Sequence, residues 1–240
     1  MDKGFWKTLG LILCCMFFLG MCAGAGYESY KYKITVNVEA NGKTYSGSSV
    51  QFQSTTTSPD WISNILLPET KRKGEAVVVN VDGKYLFFLW NYSIDKDQNY
   101  QSGFNSWQVS DVWESHKYGE HGEFGKDEFG ENVVFTEYKY TFVTFTDINA
   151  PLTVKEITQE NLSQYFGEGA KITSIEVQRT FKPVSYGQVE EVIPWIRDDI
   201  NSYKKTMRGK YFTSDSYENK KKHGVDRIYA GLSSIQFIRE

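Results

Sequence analysis

The sequence predicts an α+β fold, mainly antiparallel β-sheet with two or three short helices, preceded by a cleaved or anchoring N-terminal apolar segment. Three observations carry that expectation. Apolar and polar residues alternate with period two along much of the chain, which places one set of side chains on one face of a strand. Two pairs of strand-like segments are separated only by Asn41-Gly42 and Asp82-Gly83, which accept the positive φ angles of a two-residue hairpin turn. Tyr, Phe and Thr dominate these segments, and all 16 tyrosines lie beyond residue 25.

The first 25 residues stand apart. Lys3 and Lys7 precede an apolar stretch from Leu9 to Ala23, short for a bilayer span and followed by the small residues Gly24-Ala25. This is the layout of a secretory signal, and three outcomes fit it. The chain is cut after Ala25 and exported in soluble form; or Cys22, in the box Leu19-Gly20-Met21-Cys22, carries a lipid, although Met21 departs from the usual small residue; or the segment stays as a membrane anchor. The expected location is exported, either periplasmic or membrane-anchored. Cys14, Cys15 and Cys22 are the three cysteines, so residues 26–240 contain none and their core must form without disulfides. Of 27 basic and 30 acidic side chains, Lys3, Lys7 and Asp2 lie in the leader, which leaves 25 and 29. That balance argues against nucleic acid as a partner, because its binding rests on clustered Lys and Arg.

Residues 26–240 are expected to form a single β-rich domain with a long insertion at 91–132; two lobes divided at the insertion are the alternative. In the first strand Ile34, Val36 and Val38 alternate with Lys33, Thr35, Asn37 and Glu39. Counting outward from Asn41-Gly42 pairs Val38 with Tyr45, Val36 with Gly47 and Ile34 with Ser49. Val50 and Phe52 then point to the other face, unless a bulge at Gly47-Ser48-Ser49 shifts the phase; packing on a second layer is the other reading. Ser58-Pro59-Asp60-Trp61 opens a helical turn with Trp61, Ile62, Ile65 and Leu66 on one face, and Lys71-Arg72-Lys73 is a solvated corner. Gly74 to Val81 and Lys84 to Trp90 form the second hairpin, apolar at nearly every residue and expected in the middle of a sheet, covered on both faces.

From Asn91 to Asn132 the pattern is lost over 42 residues with five glycines, a length typical of binding loops. Val133 to Thr146 resumes as one long strand. Thr158 to Asn161 opens a short helix through Phe166, with Gly167 as its C-cap, and Lys171 to Phe181 is a further strand. Pro194 to Met207 is an amphipathic helix with Ile196, Ile200 and Tyr203 on one stripe. Gly209 to Gly224 is a polar loop, and Gly231 to Ile238 closes the chain as a strand.

Four segments, Tyr32 to Val50, Gly74 to Leu89, Pro151 to Val177 and Val184 to Ile196, together resemble a family of uncharacterised exported bacterial proteins, known as hypothetical proteins and proposed lipoproteins. The resemblance covers roughly half of the exported chain and implies an exported envelope protein. It implies no activity and no catalytic residue. The insertion and the tail beyond Met207 lie outside it.

Potential ligands concentrate at Glu114, His116, Glu120, His121, Glu123, Asp127 and Glu128, where imidazoles and carboxylates suit a divalent ion such as Zn²⁺. Their spacing matches no metal motif, and a solvated polar loop is the competing reading. Tyr100, Phe104, Trp107 and Trp113 are the candidate binding platform, since aromatics dominate binding hot spots; the competing reading is that they anchor the loop to the core. No G-x-S-x-G elbow is present, Ser48 and Ser49 have no histidine near in sequence, and Glu190-Glu191 and Asp198-Asp199 read as helix-start charges on a solvated face. The expected function is thus a non-enzymatic envelope protein that binds a protein or other envelope component, tethered to the membrane in its anchored forms. The alternative is a metal-binding protein or metal-dependent hydrolase using the loop 114–128.

Overall fold

Three β-branched side chains that alternate with polar ones set the architecture. Ile34, Val36 and Val38 of β1 (Gly26–Ala40) are each 0% exposed. Burial of each contributes about 1.5–3 kcal/mol of transfer free energy. The computed structural model describes residues 26–57, 69–89, 123–125, 132–134, 141–206, 210–212 and 232–239. Asn41 and Gly42, at φ 52° and 72°, turn the chain into β2 (Lys43–Thr57), as the type I′ expectation required. On its other side β1 pairs antiparallel with β10 (Lys171–Arg179), setting Ile34 opposite Val177 and Val36 opposite Ile175. The register shifts beside Val38, where Thr173 is the extra residue and its Oγ1 donates to the Asn37 carbonyl at 3.2 Å.

The first sheet is completed by β3 (Glu69–Glu75), β6 (Glu123–Gly125), β7 (Asn132–Val134) and β11 (Ile238–Arg239), in the order β11-β3-β2-β1-β10-β7-β6. The second contains β4 (Val77–Val81), β5 (Lys84–Phe88), β8 (Phe142–Phe145) and β9 (Val154–Ile157), in that order. All the strand pairs with a defined register are antiparallel, and the mainly antiparallel α+β architecture agrees with the sequence expectation. The sheets meet at Gly47 of β2, where a Cβ would lie 2.1 Å from the Val78 carbonyl oxygen and 3.1 Å from Val79 Cγ2. Only glycine lets β2 approach the β4 backbone this closely.

Helices cover the other face of the second sheet. Phe87, Val143, Phe145 and Val154 pack with Val189 of α2 (Gln188–Val192), with Ile196 and Ile200 of α3 (Ile196–Thr206), and with Phe212, Leu232 and Phe237. The α3 stripe follows the predicted periodicity, with Lys204 and Lys205 in its last turn. The short α1 (Leu162–Phe166) buries Leu162 and Phe166 and stops at Gly167, whose φ of 111° supplies the predicted C-cap. Among the described residues no helix is long and apolar enough to cross a membrane.

Several expectations are corrected. Gly74 to Val81 is two strands: the chain leaves the first sheet at Glu75, passes through Ala76 and enters the second at Val77. Lys71-Arg72-Lys73 belongs to β3 and is not a corner. Strand β4 is an edge of its four-stranded sheet, with only β5 of that hairpin in the interior. The long strand expected over Val133 to Thr146 divides as well, since Val133 and Val134 pair with β10 while Phe142 and Val143 pair with β5 in the other sheet. Gly231 to Ile238 contains a 3-10 turn at Ser234–Gln236 before two residues of strand, and the Gln236 side chain holds the turn by accepting the Ser233 N–H at 2.7 Å. Ser49, Val50 and Gln51 are all buried, so both faces of β2 are covered there. The helical turn expected at 58–66 and the loop 213–224 lie outside the described residues.

The chain divides into two compact units, residues 1–30 with 53–72 and residues 31–52 with 73–240. Within the first, Arg72 Nε donates to Gln53 Oε1 at 3.1 Å, and Lys71 pairs with Glu69 at 3.4 Å. Gly47→Ala should destabilise the chain by about 2–4 kcal/mol in urea unfolding, because the new methyl group meets backbone and the two sheets must part to admit it.

Candidate functional site

The most constrained side chain is Glu75, 0% exposed at the point where the chain changes sheets. Its Oε2 accepts the Val189 N–H at 3.1 Å, and the amides of Gly187 and Gln188 also act on the carboxylate. Those amides belong to the first turn of α2, which begins at Gly187 with φ 100°. The Glu75 carbonyl accepts Ser49 Oγ at 2.8 Å and Gln51 Nε2 at 3.0 Å. Next to it Ala76 N–H donates to the Phe237 carbonyl at 2.7 Å, and Val50 exchanges hydrogen bonds with Ser185 at 2.9 Å in each direction. Burial pushes the Glu75 carboxyl up from its ordinary value, and the α2 amides pull it part of the way back.

A second carboxylate is treated similarly. Asp199 in α3 is 0% exposed, and its Oδ1 accepts the amides of Tyr211 and, at 3.4 Å, Phe212. This fastens Tyr211 and Phe212 over the helix, where Trp195 meets Tyr211 and Phe212 edge-on with ring centroids 5.6 and 5.8 Å apart, and Phe212 stacks on Phe237 at 5.9 Å. Trp195 Nε1 donates to the Ile148 carbonyl at 2.8 Å. The expectation that Asp198-Asp199 lies on a solvated face therefore fails for Asp199, which sits three residues after Ile196 and four before Tyr203 on the buried stripe. Asp198 does lie in solvent, beside Lys210 at 3.2 Å. Glu190, in the first turn of α2, pairs with Arg197.

Two turns and a helix end gather at a third place. Lys43 Nζ lies 3.8 Å from Asp82 Oδ1, and Lys84 Nζ donates to the Tyr165 carbonyl at 2.6 Å. The Tyr45 hydroxyl, then Lys43 and Asn41, hold the Asp82 carboxyl below its ordinary value, while Asp82 pushes the Tyr45 phenol up. On the outer face of the first sheet Asn37 Nδ2 donates to Ser174 Oγ at 2.8 Å and to Glu176 Oε1 at 2.9 Å, and Ser174 Oγ donates to Glu176 Oε1 at 3.0 Å. Phe181, two residues beyond β10, is 85% exposed, and Tyr186 is 46% exposed.

These arrangements use their polar groups to hold backbone and neighbouring side chains. Ser49, weighed as a nucleophile, is a donor to the Glu75 carbonyl. Glu123 opens β6 with its backbone opposite Val134. Tyr100, Phe104, Trp107, Trp113, His116, Glu120, His121 and Cys22 lie outside the described residues. Among the described residues no three His, Cys, Asp or Glu side chains are grouped to hold a metal ion. Comparisons with protein-family models, with curated proteins and with solved structures give no match for this chain.

Two predictions follow from the carboxylates. The folded state holds a proton on Glu75 more tightly than the unfolded chain does. Its contribution is therefore fully present below the ordinary Glu value and is lost as pH rises from there through the raised folded value. Glu75→Gln should flatten that part of the stability profile in urea unfolding at a series of pH values. Asp199→Ala should lower stability by about 2 kcal/mol, because the Tyr211 and Phe212 amides lose a buried acceptor, and should shift tryptophan fluorescence as the packing around Trp195 loosens.

Proposed function

We propose that this chain is a non-enzymatic binding domain of the bacterial cell envelope that holds an envelope protein or other envelope component through the insertion 91–132. One observation carries the reading. Leu89 N–H donates to the Thr141 carbonyl at 3.1 Å and Phe88 pairs with Phe142, so the chain leaves and rejoins the second sheet at one hydrogen-bonded point, with β6 and β7 of the first sheet in between. A long segment displayed by a fixed pair of strands is the common layout of binding loops, which vary in chemistry while the scaffold stays rigid. The same segment contains Tyr100, Phe104, Trp107 and Trp113, the residue types that make most of the energy at interfaces. The leader pattern of residues 1–25 and the resemblance to exported bacterial proteins support the envelope as the place of action, as a periplasmic or membrane-tethered protein.

The test replaces Tyr100, Phe104, Trp107 and Trp113 together with alanine and compares crosslinked envelope components in living cells. The wild-type chain is expected to capture one defined component, and the variant to lose it at an unchanged melting temperature. Equal capture by both proteins would sink the proposal.

A further inference from the structure

The two hairpin turns are matched in backbone and in exposure, and differ in what engages the glycine nitrogen. An Asn or Asp side chain followed by glycine is open to attack by the next backbone nitrogen, since glycine has no Cβ to obstruct the ring closure. At Asn41-Gly42 the restraint falls on the side chain alone, which rests against Gly167 and acts on the Asp82 carboxyl. Asn41 is exposed, and its Nδ2 lies 3.5 Å from the Phe166 carbonyl oxygen, at the outer limit of a hydrogen bond. A Cβ on Gly42 would meet nothing within 4 Å, so water and base reach the turn. A two-residue loop is closed by bonds between its flanking residues, here Ala40 and Lys43, which leaves the Gly42 nitrogen outside the ladder.

At Asp82-Gly83 the same chemistry is blocked at the nitrogen. The attacking nitrogen is engaged, because Gly83 N–H donates to Asn80 Oδ1 at 2.8 Å. The Asp82 carboxyl lies 3.8 Å from Lys43 Nζ, and an ionised carboxylate is in any case a poorer electrophile than an amide.

We propose that Asn41 is a site of spontaneous deamidation in the folded protein, and that the fold protects Asp82 in the twin turn from the corresponding isomerisation. The Gly42 nitrogen gives its proton to base and bonds to Asn41 Cγ. The Cγ–Nδ2 bond then breaks and ammonia leaves, forming a five-membered succinimide. Water adds to one of the two imide carbonyls: opening at Cγ gives aspartate, and opening at the backbone carbonyl gives isoaspartate. The net change consumes one water and releases one ammonia, with no redox step.

The product alters the place where the turn meets α1. A Cβ on Gly167 would lie 2.3 Å from Asn41 Oδ1, so the end of α1 rests directly on this side chain. Deamidation replaces the amide donor with a carboxylate that faces the Phe166 carbonyl and the Asp82 carboxylate. Isoaspartate also adds one carbon to the backbone of a turn that sets the strand register.

The full chain is incubated folded in mildly alkaline buffer, and the tryptic peptide Ile34 to Lys43 is followed by mass spectrometry and by isoaspartate methylation, against a zero-time digest. That peptide also contains Asn37, which is followed by Val38 within β1 and serves as an internal control. The expected result is growth of aspartate and isoaspartate at position 41, severalfold faster than at any other asparagine, with no isoaspartate at Asp82. In Asn80→Ala, which frees the Gly83 amide, isoaspartate should appear at Asp82. The proposal is overturned if folded chain keeps Asn41 intact while urea-unfolded chain converts it, or if another asparagine reacts first. Its second half is overturned if Asn80→Ala leaves Asp82 unchanged.

Discussion

The crossing from one sheet to the other at Gly74-Glu75-Ala76 is the constraint on which the second unit depends. Gly74 adopts φ 127°, which an L side chain rarely tolerates, and a Cβ there would lie 3.1 Å from the Val50 carbonyl oxygen. Glu75 pairs with Ile238 in the first sheet while its carboxylate takes the first amides of α2. One residue on, Ala76 is already bonded to Phe237, and Val77 faces Phe88 in the second sheet. Within three residues the chain thus fixes both sheets, the C-terminal turn and the start of the helical layer.

A carboxylate is a costly choice for such a place. Burying it unpaired would outweigh what a single neutral hydrogen bond returns, so it survives only where several donors converge on it. The first turn of α2 supplies them, and in return a helix of five residues, too short to persist alone, gains a fixed start. Asp199 repeats the device in α3, drawing Tyr211 and Phe212 onto the aromatic cluster around Trp195. Both acids act as scaffolding for backbone that has no regular partner of its own.

Local signals in the sequence were legible and long-range ones were not. Asn41-Gly42, Asp82-Gly83 and the Gly167 stop are each decided within a few residues, and the structure agrees with all three. The β3 to β4 crossing is hidden because Ala76 reads as the first residue of one apolar strand, Ala76 to Val79, and only Gly74 marks the bend. In Val133 to Thr146 the period-two pattern is continuous across two strands of different sheets, since alternation says which face is apolar but not which strand lies alongside. Asp199 could have been found from its place on the Ile196 stripe, whereas Glu75 depends on a helix more than a hundred residues away. Of the candidate site, the long insertion and its aromatics are legible in the sequence; the structure adds that the chain leaves the second sheet at Leu89 and rejoins it beside that point at Thr141.

Because the Glu75 crossing joins both sheets, the C-terminal turn and the start of the helical layer, these layers should open only together. Native-state hydrogen exchange at single-amide resolution tests this most directly. The Val189 amide bonded to Glu75 and the Ala76 amide bonded to Phe237 should exchange only with global unfolding, at the same free energy as the slowest amides of β5 and β10. Exchange of Val189 and Ala76 in a separate step of lower free energy, with both sheets still protected, would contradict the account.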